Sequence, residues 1–340
     1  MPPETYRAIQ VNAPGEFELV ERAVTAPGRG KVRIRVEACG ICHTDVLTVE
    51  RVLPKSEYPR VPGHEVIGKI DALGEGVTAW TVGQRVAVGY LGGPCFRCKP
   101  CRRGDFVSCL NQAITGISYD GGYAEIMIAD EHALAAVPEE LSATDAAPLI
   151  CAGLTTYNAL RNSPARAGEL VAIQGVGGLG HLGIQFARAM GFRVAAIARG
   201  SGKAPLARQL GAHHYIDSQK EDPVAALQAL GGATVILATA ANGNSMSPLI
   251  GGLASRGQMV VVGVGGDCID VPGAQLVLSS RSIDGALTGS AIDGEDTLAF
   301  SVLGNIRPMV ETVSLEQAAD AYARMMRGEA RFRMVLITDQ

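Results

Sequence analysis

From Lys31 to Ala38 the segment KVRIRVEA sets an apolar residue at every second position, the period of a strand with one buried face. Similar short runs, Val66 to Leu73 and Arg85 to Val88, follow, separated by glycine and proline. The first 150 residues therefore read as mostly β. After Cys151 the period changes. Strand-like runs (LVAIQ, FRVAAIA, VILATA, MVVVGV) alternate with helical patterns (HLGIQFARAMG, APLARQLGA), which predicts βαβ units and a parallel sheet covered by helices. From about Ser314 a helix (LEQAADAYARMMRG) and a strand (RFRMVLIT) are expected to rejoin the first domain. The expected class is α/β, with 151–291 as the dinucleotide-binding domain and 1–150 plus 292–340 as the mostly β domain.

Bulk properties narrow the function. A chain of 340 residues favours two cores over one. No apolar run approaches the roughly 20 residues needed to span a bilayer. The start, Met1-Pro-Pro-Glu-Thr-Tyr-Arg, lacks the features of a secretory signal, so a cytoplasmic protein is expected. A net charge of -4 carries no footprint for nucleic acid. The expected partners are small molecules and copies of the chain itself.

Eight cysteines in a reducing compartment point to metal or catalysis rather than disulfides. Cys95-x2-Cys98-x2-Cys101-x7-Cys109 lies in a loop with Gly92, Gly93, Pro94, Pro100 and Gly104. Such a loop (about 92–110) buries too little apolar surface to hold itself, whereas four thiolates around tetrahedral zinc would fix it. An iron-sulfur cluster is the competing use of closely spaced cysteines. A second set comprises Cys42-His43-Thr44-Asp45, Gly63-His64-Glu65 and Cys151-Ala152-Gly153. A catalytic zinc takes three protein ligands and keeps one position open, and Cys42, His64 and Cys151 form a suitable Cys2His set.

The segments ACGICHTD, VPGHEVIG, the cysteine tetrad and CAGLTTYNAL resemble, in order, the signatures of the zinc-containing alcohol dehydrogenases of the medium-chain dehydrogenase/reductase superfamily. The resemblance runs across essentially the whole chain and implies a GroES-like catalytic domain beside a Rossmann domain. It implies two zincs per subunit, a catalytic one on Cys42, His64 and Cys151 and a structural one on Cys95, Cys98, Cys101 and Cys109. It also implies that Thr44 hydrogen-bonds the substrate hydroxyl, that Asp45 orients His64, and that Glu65 sits behind the metal. Zinc lowers the pKa of a bound hydroxyl, so that the alcohol, as its zinc-bound alkoxide, expels hydride to nicotinamide. Family members often end a proton relay with a histidine three residues after the hydroxyl residue; Leu47 stands there, leaving His43 or water to complete it.

Gly175-Val176-Gly177-Gly178-Leu179-Gly180 follows a strand and opens a helix, the context in which this glycine pattern binds a dinucleotide pyrophosphate. The next strand ends at Ala198-Arg199-Gly200-Ser201-Gly202-Lys203, with no carboxylate for an adenosine ribose. Arg199, Ser201 and Lys203 suit a 2′-phosphate instead, so NADP(H) is expected over NAD(H).

The expected reaction is reversible hydride transfer between a primary aliphatic or aromatic alcohol and the nicotinamide. The resemblance places Tyr90 near the pocket wall, and Leu47, Leu91 and the 289–292 loop extend an apolar lining. It also implies a homo-oligomer, dimer or tetramer. The competing readings are a non-catalytic zinc-stabilised dinucleotide sensor and a secondary-alcohol or polyol dehydrogenase; polyol members commonly carry a carboxylate where Cys151 stands. Cys39 is expected in the core, and Cys268 has no assigned role. His132, His181, His213 and His214 are expected to be structural or surface residues.

Overall fold

A computed structural model describes residues 4–52 and 57–338; Met1 to Pro3, part of the segment read for a leader, lie outside the described residues. Strands β1 (Thr5–Ala13), β2 (Glu16–Ala23), β3 (Lys31–Ile41), β4 (Glu65–Leu73), β5 (Arg85–Val88), β6 (Ile126–Asp130) and β7 (Leu134–Ala136) fill the first part of the chain. Strands β8 (Leu170–Gln174), β9 (Arg193–Ala198), β10 (His214–Asp217), β11 (Ala233–Ala238), β12 (Leu253–Val261) and β13 (Ser282–Gly285) come next, then β14 (Val310–Ser314) and β15 (Arg333–Ile337). Two compact units result: Met1–Cys151 with Gly289–Val302 and Arg307–Gln340, and Ala152–Thr288 with Leu303–Ile306. The later boundary falls at Thr288/Gly289, where the sequence suggested 291/292. Ser290 donates its backbone N–H (2.8 Å) and hydroxyl (2.7 Å) to Asp293 at the start of helix Ala291–Leu303. The Glu295 carboxylate on that helix takes the Ala136 N–H of β7 (2.9 Å), so helix and cap belong together with the first unit.

In the first unit a seven-stranded sheet runs β14-β15-β3-β4-β5-β7, with β6 also on β3, and β1 and β2 form a separate hairpin. Strand β3 organises this sheet. It pairs with β4 along most of its length, with β6 through Lys31–Arg35 and with β15 through Ala38–Ile41. It therefore continues past the Ala38 suggested by alternation. Ala38, Cys39, Gly40 and Ile41 are all buried, and a strand covered on both faces loses its period-two signature. Val32, Ile34 and Val36 feed the core with Ile9, Val66, Tyr123 and Met334. On the opposite face Arg33 is neutralised by Asp71 (2.8 Å).

The second unit holds a six-stranded sheet in the order β10-β9-β8-β11-β12-β13, every pair parallel. Every residue of β8 is buried, which accounts for its unbroken apolar run. Chain order reverses across β8, with β9 on one side and β11 on the other. That switch point, at the carboxyl end of β8, is where open α/β sheets bind ligands, and the glycine-rich turn begins there. Among the described residues no helix is long and apolar enough to cross a membrane.

Candidate active site and metal centres

Strand β3 delivers Cys42 directly from its end, into a single 3-10 turn, His43–Asp45. His64 immediately precedes β4, and Glu65 is that strand's first residue, paired with Gly40 of β3. Cys151 sits on a π-helical turn, Leu149–Gly153, which follows the helix that ends in Pro148. The ligand atoms of Cys42, His64, Glu65 and Cys151 lie within 4.8 Å of one another. Cys42 Sγ is 3.9 Å from Cys151 Sγ, and Cys151 Sγ is 3.5 Å from His64 Nε2. Tetrahedral zinc with Zn–S of about 2.3 Å and Zn–N of about 2.0 Å calls for about 3.8 Å and about 3.5 Å, so the donors fit the ion. Both sulfurs are far beyond the roughly 2.05 Å of a disulfide.

The electrostatics suit a cation. The hydrogen bond from Cys151, with His64 nearby, holds the Cys42 thiol well below its ordinary range despite burial, while the same bond and burial push Cys151 up. A divalent metal would take both sulfurs as thiolates. Burial pulls His64 down, but the Asp45 carboxylate and Cys42 outweigh it and leave the imidazole well above its usual pKa. Asp45 Oδ1 lies 2.9 Å from His64 Nδ1, which leaves Nε2 as the nitrogen facing the sulfurs.

Asp45 is itself held by two donors on Oδ2, the Cys42 N–H at 2.9 Å and the Tyr123 hydroxyl at 2.8 Å. Tyr123 is fully buried, and it was absent from the sequence-based candidates. Gly63 makes room for it: at φ +100°, a Cβ there would lie 2.4 Å from the Tyr123 ring. Tyr123→Phe is expected to accelerate loss of metal to a chelator about tenfold, the lower end of the range for the partners of a ligating histidine, because Tyr123 acts through Asp45. An unchanged release rate would show that Asp45 needs no such support.

Arg333 is the second residue the sequence did not disclose. It enters from β15 and donates to Glu65 Oε1, a pair almost entirely withdrawn from water. Burial raises the Glu65 carboxyl to about 7 even against the pull of Arg333. The space for Glu65 comes from Gly40, where a Cβ would stand 1.9 Å from Glu65 Oε2. A lone arginine within an otherwise apolar strand was the only available hint.

The second cluster gathers Cys95, Cys98, Cys101 and Cys109. Cys98 Sγ stands 3.4 Å from Cys101 Sγ and 3.9 Å from Cys109 Sγ, spacings that bracket the same tetrahedral edge of about 3.8 Å. Backbone N–H groups of Cys95 (3.3 Å) and Asn111 (3.4 Å) point at Cys109 Sγ. The Arg97 N–H, with Asn111, draws Cys95 down to about 5. Burial pushes the Cys101 thiol of the same cluster up to about 12, and the four-sulfur donor set fits a closed structural zinc.

In the second unit, Gly175 adopts φ +93°, and a Cβ at Gly180 would lie 1.9 Å from the Gly175 carbonyl oxygen. Those two glycines serve the strand-to-helix turn. Gly177 has neither reason: its φ is ordinary, and a Cβ would meet nothing within 4 Å. Space left open at that point suits the close approach of a pyrophosphate, with Gly178 and Leu179 leading into helix Gly180–Ala189. Arg199 and Ser201 are exposed after β9. The Lys203 ammonium donates to the Val176 carbonyl (2.9 Å), so it ties this loop to the glycine turn.

The substrate-side candidates separate. Thr44 and Leu47 are half-buried near the end of β3, and His43 is exposed. Tyr90 stands edge-on to His64, ring centroids 5.4 Å apart. Leu91 instead lines an apolar cavity of about 290 Å³ with Trp80, Phe96, Phe106, Leu134 and Ile292. Tyr90 sits at a bend after β5 and Leu91 in an isolated bridge with Ile114, and the two side chains meet different surroundings, His64 and the apolar cavity. Cys39 is buried and Cys268 exposed.

Comparison with known proteins decides the family. Residues 28–139 match the family described as alcohol dehydrogenase GroES-like domain, and residues 178–302 match that described as zinc-binding dehydrogenase. The chain is 43% identical over 335 residues to alcohol dehydrogenase patD of Penicillium expansum, covering 98% of each. The chain belongs to the zinc-containing alcohol dehydrogenases of the medium-chain superfamily. This alcohol dehydrogenase has solved neighbours of the same fold. One is the structure described as CAD from Helicobacter pylori complexed with NADP(H), at 26% identity and TM-score 0.85, covering 98% of each chain. Another is the acetophenone reductase of Geotrichum candidum in complex with NAD, at 27% identity and TM-score 0.85, covering 99% of this chain and 98% of that one. As an alcohol dehydrogenase the protein is an oxidoreductase, in keeping with the donor sets and with the α/β fold expected from the sequence.

Proposed function

We propose that the chain is a zinc-dependent alcohol dehydrogenase that prefers NADP(H) and interconverts primary aliphatic or aromatic alcohols with their aldehydes. The observation that carries the zinc assignment is the Cys42, His64 and Cys151 donor triangle, with Asp45 on the far nitrogen of His64. Cys95, Cys98, Cys101 and Cys109 would hold a second, structural zinc. Bound at the first site, zinc supplies Lewis acidity that makes a substrate hydroxyl easier to deprotonate.

The remaining roles fall to the chain's own groups. The Thr44 hydroxyl is short and neutral, suited to hand on the substrate proton. With Leu47 in place of a histidine, the exposed His43 or water takes the proton to solvent. Asp45 keeps His64 in the tautomer that offers Nε2, and Tyr90 closes one side of the substrate space. Gly177 admits the cofactor pyrophosphate, and Arg199 supplies the charge for a 2′-phosphate. The two solved neighbours carry different nicotinamide cofactors, so this choice rests on the loop after β9.

Metal analysis should give about two zinc ions per chain, one for each donor set. With benzyl alcohol and cinnamaldehyde, kcat/KM should be at least about tenfold higher with the phosphorylated cofactor, the worth of one charge-assisted contact. Equal or better efficiency with NADH would overturn the cofactor assignment, and a preference for secondary alcohols or polyols would overturn the substrate class. The proposed state is a cytoplasmic homo-oligomer, dimer or tetramer. Edge strand β13 and the exposed Val277 and Leu278 offer an apolar surface for a second copy, and light scattering would count the subunits.

A further inference from the structure

Strand β10 lies at the edge of the parallel sheet beside β9, with Tyr215 opposite Ala196 and Asp217 opposite Ala198. Two residues apart on one strand, Tyr215 and Asp217 point the same way. Both reach the loop that follows β9, and both take hold of the same residue. Asp217 Oδ1 accepts the Gly200 N–H at 2.7 Å, and the Tyr215 hydroxyl donates to the Gly200 carbonyl at 2.5 Å. Asp217 Oδ1 also accepts the Gln219 N–H at 3.1 Å, which fixes the carboxylate from its own side. Asp217 is only 6% exposed, so its charge is directed at backbone N–H groups and not at solvent.

Gly200 adopts φ +75°, where a side chain would be strained and its Cβ would stand 3.3 Å from Gln219 Oε1. Gripped at both its N–H and its carbonyl, this residue cannot rotate either flanking peptide without losing a part-buried hydrogen bond. Lys203 anchors the other end of the loop through the Val176 carbonyl. Between these ties the Arg199 and Ser201 side chains are left exposed.

We propose that Tyr215 and Asp217 are positioning residues for cofactor selection, which clamp Gly200 so that Arg199 and Ser201 present their donors to the phosphate on the adenosine 2′ position. The inference rests on the NADP(H) reading above. Its physical content is preorganisation. A loop already held in its binding shape spends no binding energy on being ordered, so loosening it weakens the contacts made by that loop. The pyrophosphate and adenine, held elsewhere in the unit, should feel little of the change.

The test uses the intact protein, with 2′,5′-ADP and 5′-AMP titrated by calorimetry against the wild type, Tyr215→Phe, Asp217→Ala and Asp217→Asn. Tyr215→Phe and Asp217→Ala are each expected to weaken 2′,5′-ADP about five- to tenfold, the worth of one hydrogen bond, with 5′-AMP changed less than about twofold. Asp217→Asn keeps an acceptor for the Gly200 N–H and should stay within about threefold of the wild type, a loss smaller than that of a whole hydrogen bond. kcat at saturating NADPH should not move. Equal weakening of both nucleotides would reduce the clamp to general support of the fold, and tighter 2′,5′-ADP binding by Asp217→Asn would mean that the carboxylate repels the phosphate. Either result, or no change at all, overturns the proposal. A wild type that binds 2′,5′-ADP no better than 5′-AMP removes the NADP(H) reading itself, and the clamp's role in selection falls with it.

Discussion

Arg333→Met is expected to destabilise the metal-free protein by about 3–5 kcal/mol, the usual consequence of leaving a buried charge without its partner. Glu65 has no exposed surface, its Oε1 is held by Arg333, and its Oε2 has no hydrogen-bond donor among the described residues. Remove the guanidinium and the carboxyl must either carry an unpaired charge in the core or take up a proton. The paired variant Glu65→Gln/Arg333→Met should recover much of the loss, because an apolar or neutral replacement of both members often costs little. Urea unfolding of the metal-free forms measures both. A single variant as stable as the wild type would show that the pair has ample access to water.

The second large effect separates the two metal centres. Cys42→Ala should lower kcat/KM by about a thousandfold, the scale of several kcal/mol of Lewis-acid assistance, while the thermal midpoint moves little. Cys98→Ala should lower the midpoint by about 10 °C, since closed zinc sites contribute folding energy directly. Limited proteolysis of that variant should begin within 92–110, where Gly92, Gly93 and Gly104 leave the chain little other structure. If Cys42→Ala unfolds the protein, or Cys98→Ala abolishes turnover at unchanged stability, the roles are exchanged.

Much of this was legible because its signals are local. Cys95, Cys98, Cys101 and Cys109 fall within one loop, and the glycines from Gly175 to Gly180 sit between a strand and a helix that each announce themselves. The apolar run Leu170–Ile173 of β8 and the alternating first half of β3 declare a covered parallel strand and a one-sided one. What escaped is non-local. Tyr123 meets Asp45 across 78 positions and Arg333 meets Glu65 across 268, and no period or spacing encodes either contact. Leu91 was grouped with Tyr90 because the two are adjacent, although one meets His64 and the other lines the apolar cavity. Lys203 was grouped with the donors for a 2′-phosphate because its acceptor, a backbone carbonyl in another turn, leaves no sequence signal.

The contact between β3 and β15 also imposes an order of events on synthesis. Glu65 leaves the ribosome 268 residues before the arginine that neutralises it. At about 5–20 residues per second the nascent chain waits roughly 13 to 54 s, with the whole parallel sheet translated in the interval. Until β15 emerges, β3 has only β4 beside it along Ala38–Gly40 and one open edge, in the stretch that leads directly into Cys42. The proposed ligand set is encoded early but assembled late, so metal capture at Cys42 and His64 should be a closing step of maturation and not a seed for folding.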